Sequence, residues 1–390
     1  MSDVLAEALE LLDFTRKIRR DLHRNPELGF LEFRTAGIVA RELRDLGLEV
    51  STGLAETGVV GIVEGDQPGD VVLLRFDMDA LPVEEETGAE YASQVAGTMH
   101  ACGHDGHVAI GLTVARLLSR RKQGLAGKIK LVFQPAEEGL GGAERMIAAG
   151  VLENPRAQHS LALHLWNEKP IGWYGITPGP IMAGADIFKI RLYGEGGHGA
   201  APHRAVDPVT ASAQVISAIQ TIVSRNLSPL ESAVVTIASL KAGEAFNVIP
   251  QTAEMSGTIR AFDAKVRDRV IERVEQIVEG ISRAMGCESD ISIQNITPPV
   301  VNEDWTTESV DRTAQKMLPS HHIDRAYRSM VSEDMAFIMR QVPGCYFLVG
   351  SANPSRHLDY GHHHPRFDFD EDALPWAAGL MAQAALDLLS

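Results

Sequence analysis

Cysteine is scarce. Cys102, Cys287 and Cys345 are the only three in 390 residues, an odd number set far apart. That excludes a disulfide framework and points to a reducing compartment, the cytoplasm. Paired Cys-x-x-Cys motifs, the usual mark of a structural zinc site, are missing as well. Positive charge is also short, with 36 Lys and Arg against 52 Asp and Glu, a formal charge of −16. A nucleic-acid partner draws on clustered basic residues, so that class is set aside. No apolar run approaches the roughly 18 residues of a membrane span, and the first 30 residues lack the basic start, apolar core and cleavage site of a secretory leader. Neither nucleic acid nor membrane is expected as a partner. There is no short-period repeat and no low-complexity tract, and 45% hydrophobic with 23% charged residues is the balance of an ordinary globular chain.

What is present is a regular alternation. At 390 residues the chain is long for one core, so two domains are expected. The runs "VVGIVEG" (59–65), "VVLLRFDMDA" (71–80), "KIKLVFQPAEE" (128–138), "SLALHLW" (160–166) and "CYFLVGS" (345–351) read as strands. Helical patterns fall at "RTAGIVARELRDLG" (34–47), "HVAIGLTVARLLSRRK" (107–122) and "GAERMIAAG" (142–150), and an amphipathic helix with Leu5, Leu9, Leu12 and Ile18 opens the chain. This alternation predicts an α/β fold, a mixed, largely parallel sheet flanked by helices. Near residue 180 the Gly- and Pro-rich "GWYGITPGPIMAGA" breaks the pattern, and a β-α-β-β-α-β order follows. We therefore expect an α+β domain over 181–295, inserted into a larger domain made of 1–180 and 296–390.

The chemistry-bearing residues fall where the strands stop: Asp77 and Asp79, Glu137 and Glu138, and His164. Ligands of open α/β sheets bind outside the carboxyl ends of strands. For any one acid an exposed loop is the ordinary reading, and the joint pattern is what shifts the balance. "MHACGHDGHVA" (99–109) adds His100, Cys102, His104, Asp105 and His107. A metal site, a nucleophilic cysteine and a coincidental cluster compete here. Residues 100, 102 and 104 share one face of an extended stretch, and His107 opens the helix that follows. Thiolate, imidazole and carboxylate together suit Zn²⁺ or a related divalent ion in a catalytic site. Glu137, beside the ligand candidate Glu138, suits a general base or proton shuttle. "YGHHHPRFDFDED" (360–372) supplies three adjacent histidines, of which at most one need bind metal. A nucleophilic Cys102 would want a His base and an orienting Asn or Asp but no surplus of carboxylates, and ranks lower.

Several ordered segments carry a wider resemblance: "DLHRNPELGFLEFRT", "LRFDMDALPVEE", "MHACGHDGHVA", "FQPAEEGLGGAERMI", "GEGGHGAAPHRAVDPV", "FNVIPQTAEMSGTIRAF", "SEDMAFIMRQVPGCYFLVGS" and "HHHPRFDFDED". Together they resemble the metallo-aminoacylase and carboxypeptidase family, peptidase family M20, in the branch of hippurate hydrolases and auxin-conjugate amidohydrolases. The resemblance implies a zinc-peptidase-like catalytic domain with an inserted lid and dimerisation domain. It implies five metal ligands, Cys102, His104, Glu138, His164 and His363, with Cys102 bridging two divalent ions per subunit and His363 chosen because it stands two residues before Pro365. Zn²⁺ or Mn²⁺ is expected, with Co²⁺ or Ni²⁺ as alternatives. Glu137 is the implied general base. The wider clan's H-x-D motif reads Asp77-Met78-Asp79 here, so His104 supplies the imidazole, while Asp79 and Asp105 support the ligands from behind. His198 is implied to reach the partner subunit's site and polarise the scissile carbonyl, and Asn247 and Arg260 to hold the substrate's carbonyl and carboxylate. The expected activity is cleavage of N-acyl-L-amino acids by a homodimer or dimer of dimers. A dipeptidase or carboxypeptidase on the same fold is the alternative, and a metal-binding protein without catalysis is disfavoured by Glu137.

Overall fold

Runs of Val, Ile and Leu bounded by turn residues become the strands of an eight-stranded sheet. Its main strands are β1 (Glu49–Leu54), β2 (Gly58–Glu64), β3 (Gln67–Asp77), β4 (Ala126–Gln134), β5 (His159–Pro170) and β6 (Gly344–Ala352). These come from a computed structural model that describes residues 3–390. The order is β1-β2-β4-β3-β5-β6, completed by the short strands Trp173–Gly175 and His322–Asp324. β4, β3, β5 and β6 are mutually parallel, and β2 is antiparallel to both neighbours. The sheet is therefore mixed with a parallel centre, as the alternation implies. Parallel strands need cover on both faces, and the second half of β3 and most of β4 are indeed buried.

Helices α1 (Asp3–Glu10), α2 (Leu12–Arg24), α3 (Phe33–Asp45), α4 (His104–Ser119) and α5 (Gly142–Ala148) belong to this unit, as does Leu374–Leu388 near the carboxyl terminus. The opening amphipathic segment is two helices, with Leu5 and Ile18 buried on either side of the break at Leu11. α4 is buried almost throughout, and Gly106 brings its first turn close to the sheet. A Cβ there would stand 2.7 Å from both Leu165 and Phe369. The helix starts three residues before the predicted His107, because Gly103 at φ 91° turns the chain straight into it. β4 stops at Gln134, short of the predicted 138, because Pro135 has no N–H for the ladder.

Two compact units are resolved: the chain up to Ile181 with Val301–Arg328 and Asp334–Ser390, and Met182–Val300 with Ser329–Glu333. In the second, strands Gly184–Tyr193, Ala233–Ala242, Thr252–Ala261 and Glu288–Thr297 form an antiparallel sheet. Helices Pro208–Ile219 and Ala264–Ala284 cover it through a core including Phe188, Ile190, Val215, Val270 and Val274. The unit runs past 295 because its last strand continues through Thr297. Among the described residues no helix is long and apolar enough to cross a membrane.

Candidate metal centre

Because the central strands run parallel, the turns after β3 and β4 open on one side of the sheet, where they deliver Asp77–Asp79 and Glu137–Glu138. His164 comes from β5, Cys102 and His104 from the entry to α4, and His363 from the loop after β6. One ligand atom each from Cys102, His104 and His164 lies within 4.8 Å of the others. The same holds for Cys102, Glu138 and His363, and for His104, Glu137 and Glu138. All five expected ligands and Glu137 thus meet, with Cys102 common to two triads.

The imidazoles are oriented in advance. His164 Nδ1 donates to the Leu165 carbonyl at 2.7 Å, which leaves Nε2 3.5 Å from Cys102 Sγ. His104 Nδ1 donates to the Asp79 carbonyl at 3.0 Å and lies 3.2 Å from its carboxylate. Its Nε2 is buried with no hydrogen-bond partner, and so is Glu138 Oε1, although His363 Nε2 stands 3.2 Å away. A ring held by its far nitrogen, with the near one bare, is how proteins prepare a histidine for metal. Buried polar atoms left unpaired cost on the order of 1–3 kcal/mol each, and a cation at the centre removes that cost.

The electrostatics agree. Burial, then the Glu138 and Glu137 carboxylates, push the Cys102 thiol far above its ordinary range. Burial alone would lower His104, but Asp77, Asp79 and Glu138 outweigh it and push it up to about 10. Both groups report a pocket short of positive charge. The donor set and these orphaned atoms fit divalent ions held by Cys102, His104, Glu138, His164 and His363.

The carboxylate turn is under backbone strain. Ala136 adopts φ 55°, a left-handed conformation that costs roughly 1–2 kcal/mol outside glycine. Three bonds hold the turn. Ala136 N donates to Glu32 Oε1 at 2.9 Å, Glu138 N to Asp79 Oδ2 at 3.0 Å, and Asp334 N to Glu137 Oε1 at 3.3 Å. His363 is likewise left-handed, at φ 65°, and its N–H is tied to the Ala101 carbonyl. The loop bearing His363 is therefore strapped beside Cys102.

Other residues of the histidine cluster face elsewhere. His107 uses both nitrogens, Nδ1 on Asp77 at 2.5 Å and Nε2 accepting from Leu165 N at 3.0 Å. It has no lone pair left for a metal. Asp77 also takes Arg75 at 2.6 Å, so it serves as the link between a buried arginine and His107. Asp105 turns to α2, accepting from Arg19 Nε at 2.8 Å and pairing with His23 at 2.7 Å. His100 is buried without a partner at either nitrogen, and burial pushes it down to about 4. Of the three adjacent histidines, His362 donates to the Leu165 carbonyl and His364 Nδ1 accepts from Arg366 N, so only His363 meets Glu138.

His198, Asn247 and Arg260 belong to the second unit. His198 and Asn247 are exposed neighbours on a two-stranded ribbon, where Gly199 N donates to the Asn247 carbonyl. Arg260 is half-buried and donates to Ser332 at 2.6 Å. Sequence reasoning gave no role to Arg19, His23, Glu32 or Asp334. Arg19, His23 and Glu32 stand in or beside "DLHRNPELGFLEF", and the signal available was charge at positions facing the core.

The model of peptidase family M20/M25/M40 matches residues 73–387. Thermostable carboxypeptidase 2 of Saccharolobus solfataricus is 40% identical over 97% of this chain and 95% of its own. The N-acetyl-L-cysteine deacetylase of Bacillus subtilis is 39% identical over 95% and 87%. A crystal structure of a dinuclear metal-binding peptidase of the M20 family, also from Bacillus subtilis, superposes with a TM-score of 0.86 at 33% identity, covering 97% of this chain and 99% of that one. With the match running across the strands, turns and loops that build the centre, the chain belongs to the peptidase family M20/M25/M40.

Proposed function

We propose that the protein is a dinuclear metal-dependent amidohydrolase that cleaves N-acyl-L-amino acids, of the N-acetyl or hippurate type, to a carboxylic acid and a free amino acid. The observation that carries this reading is a Glu137 carboxylate oxygen within 4.8 Å of ligand atoms of His104 and Glu138, beside two triads that share Cys102. Two divalent ions, Zn²⁺ or Mn²⁺ with Co²⁺ or Ni²⁺ as alternatives, supply Lewis acidity for the amide carbonyl and for water. Cys102, His104, His164, Glu138 and His363 would hold them.

The chain's own residues handle protons and position. Glu137 takes a proton from the attacking water and returns it to the departing amine nitrogen, so one carboxylate serves both halves of the reaction. His198 donates to the carbonyl oxygen as negative charge develops there. Asn247 and Arg260 hold the substrate, the guanidinium gripping its carboxylate through two parallel bonds. In this reading the second unit is a lid and dimerisation domain, the working form is a homodimer, and the three unpaired, buried cysteines suit a cytoplasmic home. A second reading, a dipeptidase or carboxypeptidase, is favoured by the name of the archaeal relative. Comparing kcat/KM for N-acetyl, N-benzoyl and dipeptide substrates separates the two.

Glu137→Gln tests the central step. It keeps the shape of the side chain but removes the base, so kcat should fall by at least ~100-fold with KM and metal content nearly unchanged. Near-normal turnover in the fully metallated variant would remove Glu137 from this role.

A further inference from the structure

The turn that presents Glu137 and Glu138 is held by a residue from a distant part of the chain. Glu32, fully buried at the start of α3, places Oε1 2.9 Å from Ala136 N and accepts from Thr57 Oγ1 on Oε2 at 2.6 Å. Ala136 is itself buried and left-handed, at φ 55°. It sits between Pro135, which has no N–H to give, and the two glutamates. On the far side Asp79 takes the N–H of Glu138 at 3.0 Å. Two carboxylates therefore pin the backbone N–H groups of the residues on either side of Glu137.

We infer that Glu32 is a positioning residue: by accepting the Ala136 N–H it holds the left-handed turn that aims Glu137 and Glu138. The inference rests on the roles proposed above for those two glutamates. Without the acceptor, Ala136 N would be an unpaired buried donor in a strained backbone. The turn would relax toward an ordinary conformation and carry both carboxylates with it. The surroundings suit an uncharged acceptor, since burial raises the Glu32 carboxyl to about 7. Glutamine should therefore replace it well, its carbonyl taking Ala136 N and its amide facing Thr57.

The test compares Glu32→Met, which fills the space without an acceptor, with Glu32→Gln, both in metal-saturated protein. Glu32→Met should lose kcat by about 10- to 100-fold, the range that small misplacement of catalytic groups produces. Its KM should change little, and a chelator should strip its metal faster than from the wild type, because Glu138 moves with the turn. Glu32→Gln should recover both properties. A folded Glu32→Met with wild-type kcat, or a Glu32→Gln as impaired as Glu32→Met, overturns the inference. Should the methionine variant not fold, Glu32→Asp poses the same question: its shorter arm cannot reach Ala136 N, so wild-type kcat there overturns it equally. Glu137→Gln run alongside separates this idea from the one beneath it. Wild-type turnover in Glu137→Gln removes the proposed base, whereas an inactive Glu137→Gln beside a fully active Glu32→Met removes only the role of Glu32.

Discussion

Cys102 stands where an anion is costly. Burial and the Glu138 and Glu137 carboxylates all favour the protonated thiol, so only positive charge placed against the sulfur makes it a thiolate. That separates a bridging ligand from a nucleophile. The neighbouring imidazole His164 approaches the sulfur at 3.5 Å through Nε2, but burial, with His107 and His362 nearby, pushes that ring far toward its neutral form. That makes it a weak base for drawing the proton from the Cys102 thiol. Cys102→Ser should therefore lower the metal bound per chain, measured by elemental analysis, as well as activity, because a hydroxyl is a poor replacement for a bridging thiolate. Chelation should inactivate the native protein, and added divalent metal should restore it. Thiol alkylation that abolishes turnover while exhaustive chelation spares it would make Cys102 the nucleophile. At this scale the candidate ligands stood out because thiol, imidazole and carboxylate recur in a few short motifs, although His164 lies well inside β5, which runs on to Pro170. Glu32 did not, since what gives it meaning is a backbone N–H 104 positions away.

One step up, α2 is fastened to α4 by buried charge. Arg19 and His23, both fully buried on α2, meet Asp105 in the first turn of α4, where an acid also suits the helix dipole. Arg19 reaches on to Asp368, and His23 Nε2 stands 3.3 Å from Glu85. Burial and Arg19 would lower His23, but Asp105 and Glu85 outweigh them and raise it from 6.5 to about 9. The sign follows from the raised value: this contribution to stability is complete below about 6.5 and is lost as pH rises through about 9. The gap in Tm between wild type and His23→Gln should therefore shrink between pH 6 and pH 9.5. Glu32 and Lys130 also titrate near this range, Lys130 lowered to about 8 by burial, but both cancel in the difference. A gap that widens with pH would show that His23 is neutral in the fold. The same helices show why sequence periodicity carried so far. Apolar spacing located α3, α4 and α5 to within a few residues, while it gave Arg19 and His23 no role. Their burial is made by Asp105, Asp368 and Glu85, which arrive from other elements.

For the whole molecule, the β-α-β-β-α-β order and the Gly- and Pro-rich break near 180 led us to expect an inserted unit over 181–295, and the chain has a compact unit over Met182–Val300. They did not reveal that Ser329–Glu333, far along the chain, joins it. That return is a tertiary pairing, in which Ala183 N bonds the carbonyls of Ser329 and Val331, and no local pattern encodes it. The proposed use of this unit is to carry His198 and Arg260 to the substrate, and the subunit from which His198 acts can be tested. His198 is exposed, with its Nδ1 occupied by the N–H of Ala200 at 3.0 Å, so its Nε2 is the nitrogen left to reach outward. Alone, His198→Ala and Glu137→Gln should each turn over far more slowly than wild type. Mixed under conditions that exchange subunits, each heterodimer would hold one site with both groups intact and one with neither, if His198 serves the partner's site. Random exchange makes half the dimers mixed, so activity should recover to about a quarter of wild type, the limit that two-fold symmetry sets. Recovery to that level would establish a site shared between subunits. No recovery, with exchange demonstrated by mass spectrometry, would place His198 in the service of its own chain or outside the reaction.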